Sequence, residues 1–309
     1  MITSLFRKST PLNYSIVIVA AVFFFFIFQI GHAEPARSMG DYVMKFSLLS
    51  FVFASLFMAN FIVKKNGLSK DSAYTVLFYL VFLLFFPSVL DDLRLVMANF
   101  FILLSMRRLV SLHTPKANKE KIFDASLWIF LAALFHFWCI LFIALVFISI
   151  LFHAARDYRN WFLPFIAFFT AVTVFLMFSL MIDKSWIASL IGNMQFNFKI
   201  NYFNSNFQNA ALSVYATIAL FFLVSLVLSL SNRPLILHSS YKKIIWYFVI
   251  AAVVFIVSPN KTSDLLVFTF APLAVMATSH IEAAQVQWQK EVILFVVIGS
   301  GVFAYFLQL

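Results

Sequence analysis

The sequence is short of charge: only 11% of its 309 residues are Asp, Glu, Lys or Arg, against roughly 25% in soluble domains. That excludes a soluble fold, which needs polar surface, and a disordered chain, which needs high charge and few apolar residues. Cysteine occurs once, at Cys139, so no internal disulfide can form, and a lone thiol in an apolar run packs as a small hydrophobe. With 6 Gly and 8 Pro, Gly-lined helix crossings and broken transporter-type helices are few. No two of His32, His113, His136, His153, His238 and His280 lie within five residues, which removes clustered-His metal oxygenases. Neither long inner loop, Arg107–Lys121 or Ser231–Lys243, holds a Gly-rich phosphate cradle, so no cofactor and no metal is expected. Few ionisable residues lie deep in the apolar runs, where pumps and ion-coupled transporters place them.

What is present is hydrocarbon. The chain is 63% hydrophobic with 43 Phe, 10 Tyr and 6 Trp, and its mean hydropathy is +0.98. About 20 apolar residues cross a bilayer as a helix. Eleven runs qualify once their ends are extended: Asn13–Ile30, Val43–Val63, Ser72–Leu90, Leu95–Met106, Ala125–Phe135, Phe137–Phe152, Trp161–Ile182, Ala211–Ser229, Ile244–Val257, Leu265–Thr278 and Val292–Leu307. The fold class expected is therefore all-α, a polytopic transmembrane bundle of about eleven spans, in one domain over residues 1–309.

The stretch Asp124–His153 is too long for one crossing and short for two, and no Gly or Pro marks a turn near His136. Charge decides. With the N-terminus cytoplasmic and a break at His136, the inner loops hold 16 Lys and Arg and the outer loops 6; without the break the tally is 13 against 9. The positive-inside rule selects the break and an outer C-terminus. This describes a multi-pass protein of a bacterial inner membrane, N-terminus in the cytoplasm and C-terminus in the periplasm. The net charge of +10 then sits in membrane-flanking loops, so its partners are the lipid bilayer and not nucleic acid. The first run, 18 residues and Phe-rich, fits a span better than a cleaved signal.

The outer segment 183–209 carries a helical period over Trp186, Leu190 and Met194. It then alternates polar and apolar residues through Phe196, Phe198, Ile200 and Tyr202, a strand-like period. It is expected to cap the helix ends, and Trp186, Phe196, Phe198 and Tyr202 are its candidate residues for binding other membrane or envelope proteins. The candidates for acid–base work are outer: Glu34 and Asp41 beside His32, and Asp91-Asp92 with Arg94 after Phe86-Pro87. Lys261 and Asp264 precede the tenth run. His136 reads as a helix-end or core histidine.

The opening Met1–Asn13, MITSLFRKSTPLN, resembles the start of a family of uncharacterised integral membrane proteins from Bacteroidota. The stretches Val63–Ser69, Ala98–Leu109 and Lys121–Ala125 agree with it. More distantly, Arg107–Phe152 is similar to the GT-C glycosyltransferases, with a basic loop followed by two short helices in a hairpin. That resemblance implies an enzyme using lipid-linked sugars on the outer face. The family's acidic motif lies in a long first outer loop, whereas here that loop is only His32 to Asp41. Three functions follow as expectations: a non-catalytic subunit of an envelope complex, built on a degenerate GT-C-like scaffold; an outer-face glycosyltransferase using a polyprenyl-linked sugar through Glu34, Asp41, Asp91, Asp92 and Arg94; or a lipid or small-solute transporter. The first is preferred, because no catalytic constellation stands out.

Overall fold

A computed structural model describes residues 2–31, 38–114, 117–192, 194–198, 203 and 205–309. The described residues form thirteen α-helices: α1 (Ile2–Phe6), α2 (Pro11–Gly31), α3 (Met39–Lys65), α4 (Tyr74–Phe85), α5 (Leu93–Val110), α6 (Asn118–Phe135), α7 (Ile143–His153), α8 (Arg159–Ile182), α9 (Ser185–Gly192), α10 (Asn206–Ser229), α11 (Leu235–Val257), α12 (Val267–Ala283) and α13 (Gln287–Leu307). All eleven apolar runs fall on helices. Eight helices are long and apolar enough to cross a membrane, and the chain is a multi-pass membrane protein. The remaining runs fall on α4, which has 12 residues, on α6, which carries Lys119, Glu120, Lys121 and Asp124, and on the short stretch Phe137–His153.

Burial sorts the helices into a centre and a rim. Every residue of α4 is buried, and 89% of the α12 span is buried against 17% for α8 and 22% for α2. Hydrocarbon gives helices no hydrophobic reason to associate, so packing and buried hydrogen bonds hold them together. Phe82, Phe85, Phe86 and Phe270 all meet the ring of Tyr215 with centroids 5.2–6.1 Å away. Hydroxyls help tie this centre together: Tyr79 accepts from Asn99 at 3.0 Å, and Tyr215 and Thr269 lie 2.6 Å apart. Gly301 lets α13 approach α4 closely, since a Cβ there would lie 2.8 Å from Val81 Cγ1 and 3.0 Å from the Val81 carbonyl oxygen.

The helix between Asp124 and His153 is broken where charge asymmetry places the break. His136 adopts extended backbone (φ −138°, ψ 106°), and a 3-10 stretch, Phe137–Phe142, leads into α7. Lys119 at the start of α6 pairs with Asp157, just after α7, at 3.2 Å. The two helices therefore form a hairpin with His136 at its tip.

The bundle has two distinct ends, and the chain termini lie at opposite ones. The Tyr74 hydroxyl, at the first residue of α4, donates to the Thr3 carbonyl at 2.6 Å. Gln308 donates to the carbonyl of Phe85, the last residue of α4, at 2.8 Å. We call these the N-terminal and C-terminal ends. The loop 183–209 belongs to the C-terminal end: Trp138 donates to the Gln195 carbonyl at 3.2 Å, and the Asn197 amide donates to the Val257 carbonyl at 3.2 Å. Its first half is the helix α9, as the period of Trp186, Leu190 and Met194 requires. The strand suggested by the alternation from Phe196 onwards is not formed by the described residues; Phe196 and Phe198 are both exposed, with no partner strand beside them.

Candidate functional site

Proline and serine chemistry builds the C-terminal end. Pro87 has no N–H to continue the α4 ladder, so Phe86 leaves the helix and Pro87–Leu90 form a 3-10 turn. Asp92 then caps α5, its Oδ1 accepting from the Leu95 amide at 3.0 Å. Opposite, a second turn, Ser263–Leu266, opens α12. Ser88 and Ser263 join the two turns through hydroxyls 2.9 Å apart, and Gln29 of α2 donates to the Leu90 carbonyl at 3.0 Å.

Adjoining cavities surround these turns, and Arg94 lines three of them. The largest is a chamber of about 830 Å³ lined by Asp91, Asp92, Arg94, Lys261 and Asp264. A side pocket of about 420 Å³ shares Asp92, Arg94 and Asp264 with it and adds His136 and Trp138. The third is an apolar groove of about 730 Å³ between α6 and α8, with Trp186 and Leu190 of α9 on its wall. Such volumes are those of small-molecule sites.

The charges here are not spent on one another. Among the described residues Arg94 makes no ion pair, and its side chain is exposed. Lys261 donates to the backbone carbonyls of Asn197 and Ser258, and among the described residues to no carboxylate. Asp264 Oδ1 is buried without a partner among the described residues. Burying an acceptor unpaired is costly. Amide oxygens of Asn60, Asn99 and Asn160 are buried in the same way, and what distinguishes Asp264 is that it is a carboxylate lining the chamber.

His136 is a neutral imidazole. Burial depresses its pKa to about 4, outweighing the opposite pull of the Asp92 charge. Its tautomer follows from the neighbouring serine: the single hydroxyl proton of Ser258 is donated to the Val254 carbonyl at 2.7 Å. The 3.1 Å contact between His136 Nε2 and Ser258 Oγ is then donated by Nε2–H, which leaves Nδ1 as an acceptor.

The structure brings Asp91, Asp92 and Arg94 together at the chamber, but not Asp41. Asp41 forms a capping box with Ser38: its Oδ2 accepts from the Ser38 amide at 2.9 Å and its own amide donates to Ser38 Oγ at 3.2 Å. Asp41 thus serves as a helix cap and is not among the residues lining the chamber. Glu34 lies outside the described residues, as does Tyr202. Of the partner-binding candidates, Trp186 lies in the apolar groove, while Phe196 and Phe198 face outward with ring centroids 5.5 Å apart. Sequence reading set His136 aside as a helix-end residue. It is one, and it also lines the side pocket. Lys261 and Asp264 were visible as outer charges, but nothing local tied them to Asp92. Among the described residues no group of three or more His, Cys, Asp or Glu side chains could hold a metal ion.

Comparison with curated proteins finds no match, and neither does comparison with solved structures. A family model matches residues 1–309, the whole chain, and its description is a family of unknown function, DUF6427. With that match spanning every helix of the bundle and the chamber at its C-terminal end, the chain belongs to DUF6427.

Proposed function

We propose that this protein is an outer-face glycosyltransferase of a bacterial inner membrane, acting on a polyprenyl-linked sugar at the chamber of the C-terminal end. One observation carries the proposal: Asp91, Asp92 and Arg94 from one turn, and Lys261 and Asp264 from another about 170 residues away, line a single chamber. Transfer from a sugar phosphate needs a base for the acceptor and cations for the leaving group. The acceptor hydroxyl oxygen attacks the anomeric carbon, and its proton passes to a carboxylate, for which Asp264, whose Oδ1 is buried without a partner among the described residues, is the candidate. The bond from that carbon to the phosphate oxygen breaks, and the electron pair leaves with the phosphate beside Arg94 and Lys261. The α6–α7 hairpin, the element on which the GT-C resemblance rests, brings His136 to the same place.

Eleven crossings with a cytoplasmic N-terminus fit this reading. Termini at opposite ends of α4 require an odd number of crossings, which the eight long helices alone do not give and which α4, α6 and α7 supply. The N-terminal end carries the basic excess, so the chamber opens outward. The transporter reading is disfavoured by a bundle centre filled with Phe78, Phe82, Phe222, Phe268 and Phe270. The subunit reading keeps one observation, the outward pair Phe196 and Phe198, and a double Ala variant that loses a co-purifying envelope protein would favour it.

The test is turnover in nanodiscs. Purified protein receives polyprenyl-phosphate-linked hexoses radiolabelled in the sugar, with lipid extract of its native membrane as acceptor. Label leaving the polyprenyl phosphate, and ceasing to leave in Asp264→Asn, is the expected result. No release from any hexose donor, or equal release by Asp264→Asn, overturns the assignment.

A further inference from the structure

We infer that the groove between α6 and α8 is a lateral port that takes the hydrocarbon chain of a lipid phosphate, with Arg94 holding the phosphate at the junction with the chamber. The groove wall is apolar: Leu127, Leu131, Val174, Phe175 and Phe178 line it, and Thr170 is the one other polar residue besides Arg94 among its lining. It lies on the outer side of the bundle, since α8 is the least buried of the long helices. Any groove there meets hydrocarbon, so apolar lining alone selects nothing. Arg94 selects. Among the described residues it is the only charged one lining the groove and makes no ion pair, and it lines the polar chamber as well.

A guanidinium at the end of a hydrocarbon channel fits one kind of ligand, an amphiphile with an anionic head. Its planar fork of donors matches phosphate in two parallel hydrogen bonds, which an ammonium does not. A head held at Arg94 stands at the chamber mouth while its chain stays in the groove. α9 covers part of that path with Trp186 and Leu190, and indole is favoured at membrane interfaces. If the chamber is the transfer site proposed above, the port explains how a donor anchored in the bilayer reaches it without leaving the membrane. The port itself requires only binding.

The experiment is photocrosslinking in nanodiscs. Benzoylphenylalanine replaces the exposed Val174, and capture of lipid is read by mass spectrometry in discs of phosphatidylcholine doped with polyprenyl phosphate, phosphatidylglycerol or a fatty acid. Capture of a phosphate lipid above its mole fraction is expected, weakened about tenfold or more by Arg94→Gln and less by Arg94→Lys. Preference for polyprenyl phosphate over phosphatidylglycerol names the chain; equal capture of both names a port for phosphate lipids in general. Capture that follows mole fraction, favours the fatty acid, or ignores Arg94→Gln overturns the inference. Thermal melting checks the fold of Arg94→Gln, whose exposed side chain makes no ion pair among the described residues. Asp264→Asn separates the two proposals: lost transfer with retained capture supports both, while retained transfer overturns the chamber chemistry and leaves the port standing.

Discussion

The two ends of the bundle treat their charges differently. At the N-terminal end three aspartates form ion pairs: Asp71 with Lys64 at 3.0 Å, Asp124 with Arg108 at 2.8 Å and Asp157 with Lys119 at 3.2 Å. Glu282 accepts from the Lys70 amide at 2.9–3.0 Å and from the Ser72 hydroxyl at 2.6 Å. Fixed cations also cover aromatic faces there, with Arg107 4.9 Å from the ring of Phe61. At the C-terminal end Asp91, Asp92, Arg94, Lys261 and Asp264 share cavities without forming an ion pair among the described residues. Charge that closes on itself secures a fold, whereas charge held apart over open space is available to a ligand. Substitutions at one end should therefore cost stability, and at the other activity.

The largest effect is expected for Asp264→Asn, which should lower transfer by 100-fold or more, a scale typical of losing a general base. Its melting temperature should stay near that of the parent, and a loss of stability matching the loss of rate would erase the contrast. Glu282→Ala should do the reverse. It strands the Lys70 amide and the Ser72 hydroxyl, costs about 1–3 kcal/mol in detergent unfolding, and leaves lipid capture at Arg94 intact. Asp41→Ala should cost about 1 kcal/mol as a lost cap and nothing in turnover; a hundredfold loss of turnover would restore Asp41 as a catalytic residue.

Acid sharpens the comparison through His136. Its folded pKa of about 4 lies below the ordinary histidine value of 6.5. Between those values the unfolded chain binds a proton that the folded chain refuses, so stability falls as pH drops from 6.5 towards 4. His136→Gln should flatten that part of the stability profile, as followed by thermal unfolding across the range. The smallest effect is expected for Arg108→Gln, which breaks a partly exposed pair with Asp124 and should cost less than about 1 kcal/mol.

The helices were legible because hydrocarbon demands long apolar runs, and the His136 break was legible because loop charge reports sidedness even where no turn residue does. The capping role of Asp41 was also in plain view, because Ser38-Met39-Gly40-Asp41 is the capping spacing. The alternation after Met194 is a weaker signal: it encodes a strand only where a partner and a core face await it, and Phe196 and Phe198, its described part, are exposed with no strand beside them among the described residues. The chamber was legible in pieces. Asp91, Asp92 and Arg94 sit in one turn, but their neighbours Lys261 and Asp264 arrive from α12, and no local period records a meeting across 170 or so residues. Arg94 as a junction between polar and apolar cavities has no sequence signature at all.

The complete burial of α4 constrains how the protein is made. Its 12 residues are too few to settle across a bilayer alone, yet two of its neighbours, α12 and α13, leave the ribosome long after it does. Until they arrive, Tyr79 and the Val81 carbonyl lack their final surroundings, and the early helices hold a place open at their centre. Chains cut short before Val267 should therefore insert their first spans yet be cleared by membrane proteases, making these late helices a checkpoint on the folding of the early ones.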